Sequence, residues 1–374
     1  MNFDFSDEQK QLRDEARKFL ADRCAPTAVR AILEGPEPYD RALWKGLGEM
    51  GFLGAAIPEE YGGVGLGHLE LCVIAEELGR ANAPVPMASS IYLAAEALML
   101  WGTEAQKSAW LPKLASGAAV GTLALCEGVG RVTERTIKAQ AAGGKLSGVK
   151  MPVADGDVAD VAVVAARDGK GVSLYLVDMA GPGVARETLE TIDPTRSQAR
   201  IVFDQAPAEL LGEAGQGWRL VGDLLDRAAV LMAFEQVGGS DRALEMARDY
   251  ALERMAFGRQ IGSFQAIKHM LADMYVSATL ARSNAYYGAW ALSTGSAELP
   301  VAAATARVSA TQAYQHCAKN NIQVHGGMGF TWAFDCHLFY RRANALAVAL
   351  GSQTTWEDLL IERLRRRNDA PVAA

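Results

Sequence analysis

The chain shows no membrane-length apolar run, no paired-cysteine motif and no nucleotide-binding fingerprint, and no secretory leader is expected from its first residues. Each absence removes a class of protein. The first twenty residues, MNFDFSDEQKQLRDEARKFL, are acidic and amphipathic, whereas a signal needs a basic stretch and then an apolar one. The apolar runs fall short of a bilayer span, which sets membrane insertion aside. Cys24, Cys72, Cys126, Cys317 and Cys336 form no C-x-x-C pair, and a set so scattered fits buried free thiols in a reducing compartment. Gly212 to Trp218, GEAGQGW, lacks the Lys-Ser/Thr of a phosphate loop, and no G-x-G-x-x-G occurs. The histidines, His68, His269, His316, His325 and His337, have no metal-ligand spacing and read as packed or surface residues. A formal charge of -7 speaks against nucleic-acid and anionic-membrane partners. The expectation is a soluble cytoplasmic protein with no metal, no nucleic-acid partner and no membrane insertion.

What is present is a large, ordered chain. Half of the 374 residues are hydrophobic, enough for two or three structural units, and 22% charge is too little for global disorder. Residues 1–120 read as helical, with Ser6 as an N-cap ahead of Asp7, Glu8 and Gln9. A second helix spans Asp40 to Met50, a glycine-rich loop runs from Ile57 to Gly67, and a further helix covers Ser90 to Trp101, stopped by Gly102. Residues 121–213 change character. Short runs such as GTLALC, KLSGVKM, VADVAVVAAR, GVSLYLVDM and ARIVFD alternate with Gly, Asp and Pro turns, the pattern of an antiparallel sheet or small barrel. Residues 214–374 return to long helices, over Asp223 to Met255, Phe264 to Gly288, Pro300 to His325 and Thr354 to Arg367. The fold class is therefore α+β, mostly α: an N-terminal helical domain, a middle antiparallel β domain and a C-terminal four-helix-bundle domain. Met246, Met255, Met270 and Met274 fall at helix-core spacing, and Arg341-Arg342 reads as a solvated helix face or a phosphate-facing pair.

Two segments carry the chemistry. RMAFGRQIGSFQAIKHMLADM, from Arg254, puts a guanidinium at a helix end, then a glycine that permits a turn, with Phe257, Ile261 and Phe264 around it. QVHGGMGF, from Gln323, has paired glycines that admit a ligand close to the backbone, and an amide that can bind a polar edge. A flat dinucleotide needs such groups, a guanidinium or several N–H donors for its pyrophosphate and apolar surface for its rings. The same residues read equally as helix caps and core aromatics.

These two blocks, with PEEYGGVGLG from Pro58 and GEAGQGW from Gly212, resemble the signature of the flavin-dependent acyl-CoA dehydrogenase family. The resemblance spans essentially the whole chain and has the same helix, β, helix order. It implies FAD shared across a subunit interface, in at least a dimer and by resemblance a tetramer. Arg254 would meet the pyrophosphate of a neighbour's FAD, with Phe257, Ile261 and Phe264 packed near it. Gln323, Val324 and Gly327 would contact the adenine half, and His325 borders that loop. An acyl-CoA substrate follows from the same resemblance, and an electron-transfer flavoprotein is the partner it suggests as acceptor.

The departures are as informative. The reaction needs a carboxylate base against a weakly acidic α-proton in a dry pocket. The family usually supplies a glutamate downstream of the Gln-x-x-Gly-Gly block, and that position falls on Leu350. Some members place the base on the preceding helix, at the position of Ala228. Neither residue can act as a base, so the catalytic residue is left unknown. Asp226, two positions from Ala228, points about 200° away around a helix. Asp335 and Glu357 are weaker candidates. The family's flavin-ring segment reads CEGVGRVTE from Cys126, and its Trp-Ile-Thr strand reads KMPVADG from Lys150. The hydroxyl and aromatic positions become Cys126, Pro152 and Ala154. Residues that serve a neighbour's flavin are kept, and those that serve the chain's own flavin and the base are changed.

Three readings follow. The first is the base-less subunit of a heteromeric acyl-CoA dehydrogenase, paired with a related dehydrogenase subunit and open to bulky substrates such as steroid side chains. The second is a homo-oligomeric flavoenzyme of the same fold with a displaced base or other flavin chemistry. The third is a non-catalytic acyl-CoA-binding protein.

Overall fold

The computed structural model describes residues 5–369. The chain divides into two compact units. Among the described residues, one gathers 5–27, Cys72–Ala83 and 229–369, and the other Ala28–Leu71 and Pro84–Ala228.

The second unit holds the sheet. Its helices are α2 (Pro26–Glu34), α3 (Arg41–Glu49), α5 (Glu96–Trp101) and α6 (Glu104–Ala115), together with the start of α4 (His68–Arg80). The strands are β1 (Gly121–Ala124), β2 (Gln140–Ala142), β3 (Lys145–Ala154), β4 (Val161–Asp168), β5 (Gly171–Asp178), β6 (Val184–Leu189), β7 (Gln198–Pro207) and β8 (Glu209–Leu211). They run in the order β6-β7-β3-β2-β4-β5-β8, mostly antiparallel, and β1 joins at β4. Two pairings are parallel, β1 with β4 and β2 with β4. Strand alternation in sequence carries no sign of that direction. β4 reads VAVVAARD without alternation, and its first six residues are all buried, as expected for a strand covered on both faces. The core between these strands includes Leu146, Val153, Val164, Ile201 and Phe203, each contributing roughly 1.5–3 kcal/mol on burial.

The helix expected from Ser90 to Trp101 is not uniform. Ala88–Ala95 is a π-helix that passes into α5. Ser89 Oγ donates to Asp155 Oδ2 at 2.6 Å, and Ser90 Oγ accepts the Gly121 N–H at 3.0 Å. These side-chain bonds hold the wider turn, a form often found at functional sites.

The other unit is helical. Its elements are α1 (Asp7–Arg23), the end of α4, most of α7 (Gly217–Glu253), α8 (Gln265–Ser293), α9 (Leu299–His325), α10 (Cys336–Val348) and α11 (Gln353–Asp369). Ser6 and Gln9 form a complete capping box at the start of α1. α9 packs against α8, α10 and α11, and its run of buried alanines, among them Ala302, Ala306, Ala310 and Ala313, permits close helix approach. Two expectations change here. Arg342 is not on a solvated face: it is 1% exposed and donates to the Ala83 carbonyl at 3.2 Å, beside Glu235 at 3.7 Å. Met255 is not core, since it lies in a short strand after α7 and is 56% exposed, whereas Met274 is fully buried.

Candidate functional site

The Arg254 block forms a hairpin. After α7 ends at Glu253, β9 (Met255–Ala256) pairs with β10 (Arg259–Gln260) around Phe257-Gly258. Both turn residues have positive φ, 52° and 77°, the requirement of a type I′ turn. A phenylalanine is strained there, at a cost of about 1–3 kcal/mol. Its ring is 96% exposed and meets Phe264 edge-on at 6.1 Å, while Arg259 lies 4.1 Å over Phe264. The Arg254 carbonyl accepts the Ile261 N–H at 2.8 Å. Thus Arg254, Phe257, Ile261 and Phe264 stand in one turn, with the Arg254 side chain exposed and making no hydrogen bond among the described residues.

The second block ends α9. Gly326 caps it with φ 59° and its N–H on the Gln323 carbonyl, and Gly326–Phe330 continues as a 3-10 turn. Gln323 and Gly327 are exposed, and nothing lies within 4 Å of where a Gly327 Cβ would stand. Val324 is buried, so a ligand would meet its backbone before its side chain. His325 is buried too. Its Nδ1–H donates to the Asn321 carbonyl at 2.8 Å, and burial pushes its pKa down, which keeps the ring neutral. The imidazole stacks on Tyr250 at 4.1 Å. Tyr250 sits one turn before Arg254 and His325 two residues after Gln323, so this stack joins the two blocks. Tyr250 was missed in the sequence, where an aromatic at that spacing reads as helix core.

Leu350 and Ala228, the two positions where a base was expected, carry hydrocarbon side chains. Leu350 is buried in the turn between α10 and α11, and its carbonyl accepts Trp356 Nε1–H at 3.0 Å. Arg307, buried and reaching the Leu346 carbonyl and Gln236 Oε1, fixes the same turn from α9. Burial pushes the Arg307 guanidinium down to about 10, still charged at neutral pH. Glu357 is occupied by the amides of Gln353 and Gln312, at 2.7 and 3.3 Å. Asp335 sits at the N-cap of α10. Ala228 is fully buried and Asp226 nearly so.

The strand segment is kept in shape although its side chains differ. Glu127 accepts from Lys150 Nζ at 2.7 Å and from the N–H groups of Lys138 and Ala139 at 2.7 and 3.1 Å. Burial alone would raise the Glu127 carboxyl, but Lys150 and the two N–H donors outweigh it and hold it below the usual range. Met151 bonds both ways, its N–H to the Cys126 carbonyl and its carbonyl to the Gly128 N–H, each at 2.8 Å. Half-buried Cys126 and Ala154 and exposed Pro152 therefore occupy a well-defined surface, but no hydroxyl or indole is offered there. For FAD, the exposed Arg254 and the open glycine turn fit a pyrophosphate, whereas Cys126, Pro152 and Ala154 do not supply the ring contacts. Among the described residues no group of three His, Cys, Asp or Glu could hold a metal ion, and no helix is long and apolar enough to cross a membrane.

The helix, sheet and helix arrangement matches a known oxidoreductase family. The acyl-CoA dehydrogenase N-terminal domain model matches residues 6–118 and the C-terminal domain model residues 215–364. The chain is 34% identical to the acyl-CoA dehydrogenase IpdE2 of Mycobacterium tuberculosis over 92% of its length and 94% of that protein. Among solved structures it resembles the ChsE4-ChsE5 complex of Mycobacterium tuberculosis, with TM-score 0.88, 29% identity and complete coverage of both chains. A steroid ACAD, Tcur3481-Tcur3483, gives TM-score 0.89 and 31% identity over 97% of this chain and 99% of that one. The chain belongs to the acyl-CoA dehydrogenase family, whose members are flavoproteins.

Proposed function

We propose that this chain is the base-lacking subunit of a heteromeric, FAD-dependent acyl-CoA dehydrogenase. The observation that carries the reading is the contrast between two surfaces of one chain. The Arg254 hairpin and the Gln323 turn are exposed, ordered and rich in unspent contact groups. The strand bearing Pro152 and Ala154 and the turn bearing Leu350 offer neither ring donors nor a carboxylate. Held by the Arg254 hairpin and the Gln323 turn, FAD would supply a hydride acceptor for the β-carbon of an acyl thioester. Arg254 binds its pyrophosphate on a related partner subunit, with Phe257, Ile261 and Phe264 shielding that contact from water. Gln323, Val324 and Gly327 meet the adenine half. The partner supplies the base, an electron-transfer flavoprotein takes the electrons, and cysteines that form no disulfide among the described residues fit a cytoplasmic location. Two relatives of this chain are two-protein complexes, and one of these is a steroid ACAD, which supports an acyl group of steroid size.

The chain purified alone should be colourless, with far less than one flavin per chain in its visible spectrum and after denaturation. Yellow colour and turnover should appear on adding a second dehydrogenase-like subunit. Stoichiometric FAD in the isolated chain would sink the heteromer and favour a homo-oligomeric flavoenzyme.

Leu350→Glu by itself is expected to give no turnover. A carboxylate there enters a buried turn, which raises its pKa, and Cys126, Pro152 and Ala154 still lack ring contacts. Measurable dehydrogenation by this single variant would show that the chain's own flavin surface is competent.

A further inference from the structure

The Arg254 hairpin and the Gln323 turn extend from different helices, and one ring pair joins them. The Arg254 N–H donates to the Tyr250 carbonyl at 2.8 Å, so Tyr250 stands in the last helical turn that carries the hairpin. His325 ends α9 and leads into the glycine turn, where a Gly329 Cβ would stand 3.0 Å from its own Cβ. The imidazole lies flat on the Tyr250 ring, with centroids 4.1 Å apart and planes 22° from parallel. Phe334 closes the cluster edge-on, 5.7 Å from His325 and 6.0 Å from Tyr250.

The stack has a charge requirement. His325 is 6% exposed, and its Nδ1–H is spent on the Asn321 carbonyl, its one hydrogen bond among the described residues. A second proton would go to Nε2, which has no acceptor there. Tyr250 of α7 is the titratable side chain against the ring, α9 presents the Asn321 carbonyl, and the segment before α10 presents Phe334. Burial lowers the imidazole pKa and the Asn321 carbonyl raises it by less. No carboxylate among the described residues adds to that balance, so none stands ready to stabilise a cation.

We propose that Tyr250 and His325 are positioning residues: their stack latches the Arg254 hairpin to the Gln323 turn, and it holds only while the imidazole is neutral. Neither ring needs to touch the cofactor. A charged imidazole must leave the cluster to reach water, and the two segments then lose their fixed spacing. The latch is closed above the ordinary histidine value of 6.5 and loosens as pH falls below it, because the opened form takes up the proton first. This inference rests on the FAD reading above.

The test titrates FAD by fluorescence into the full chain together with the related subunit that copurifies. Binding should be about threefold weaker at about pH 5.5 than at about pH 7.5, the worth of one lost ring contact. His325→Phe keeps a flat ring that cannot titrate, and should bind FAD alike at both pH values. Tyr250→Leu, at a partly exposed position, should weaken FAD about three- to tenfold at about pH 7.5, and Tyr250→Phe should restore it. Thermal transitions confirm that each variant is folded. An equal pH response in the parent and His325→Phe, or parental FAD affinity in Tyr250→Leu, would overturn the latch. Arg254→Ala separates the two readings. Loss of FAD in that variant leaves the cofactor reading standing whatever the latch does, whereas unchanged FAD overturns that reading and this inference with it.

Discussion

Arg254→Ala should strip FAD from the assembled complex while leaving this chain folded. The guanidinium is exposed and makes no hydrogen bond among the described residues, so its removal costs the fold at most about 0.5 kcal/mol. Against a pyrophosphate the same group makes charge-assisted, bidentate bonds, and their loss should weaken flavin binding by about 10- to 100-fold. Arg254→Lys should recover only part of this, since an ammonium cannot reproduce the planar fork. Flavin occupancy is read from the visible spectrum of the complex, and folding from its thermal transition. Unchanged occupancy would show that the hairpin does not serve a neighbour's cofactor.

Gly238→Ala should do the opposite, collapsing the helical unit without touching a cofactor contact. A Cβ at Gly238 would stand 1.9 Å from the Glu76 carbonyl oxygen and 2.9 Å from the Arg80 nitrogen, and one at Gly79 would stand 1.8 Å from the Glu235 carbonyl oxygen. Here α4 and α7 cross backbone to backbone, with no flexible side chain able to yield. Spreading them also disturbs the pairs that Arg282 makes with Glu76, and Arg80 with Glu245. Both pairs are half-buried and add a smaller cost; the main cost is overpacking of two backbones, about 3 kcal/mol or more, against a typical domain's stability of about 5–15 kcal/mol. The expected result is a loss of at least about 3 kcal/mol in denaturant unfolding, or no soluble protein. Gly222→Ala is the control. It lies on the same helix with nothing within 4 Å of a Cβ, and should be neutral or stabilising by up to about 1 kcal/mol. Equal stability of Gly238→Ala and the parent would remove the close crossing from the account.

That crossing marks a limit of reading by pattern. The helix expected over Asp223 to Met255 does run unbroken, from Gly217 to Glu253, but nothing in VGGSD tells that its glycines stand there because tertiary contact needs the missing side chains. Other failures have the same cause. β6, with the sequence VARETL, is mostly exposed and shows no alternation, so only its pairing with β7 makes it a strand. The π-helix has ordinary helix composition, and its Ser89 and Ser90 bond to Asp155, just past β3, and to Gly121 of β1, partners that no local pattern announces. Arg342 follows a half-buried arginine in sequence and is itself drawn into the core by carbonyls some 260 residues away.

What the amino-acid order determined by itself is local. It specified the capping box at Ser6, the long amphipathic helices, and the glycine turns at Phe257-Gly258 and Gly326-Gly327. Those features depend on neighbours within a few residues, where backbone sterics and side-chain type suffice. The tertiary structure decided which distant groups meet: Tyr250 on His325, and Arg307 and Trp356 on the Leu350 turn. Such meetings depend on how helices and strands pack, and a buried charge or ring is held wherever its partners converge, at separations that no local pattern encodes.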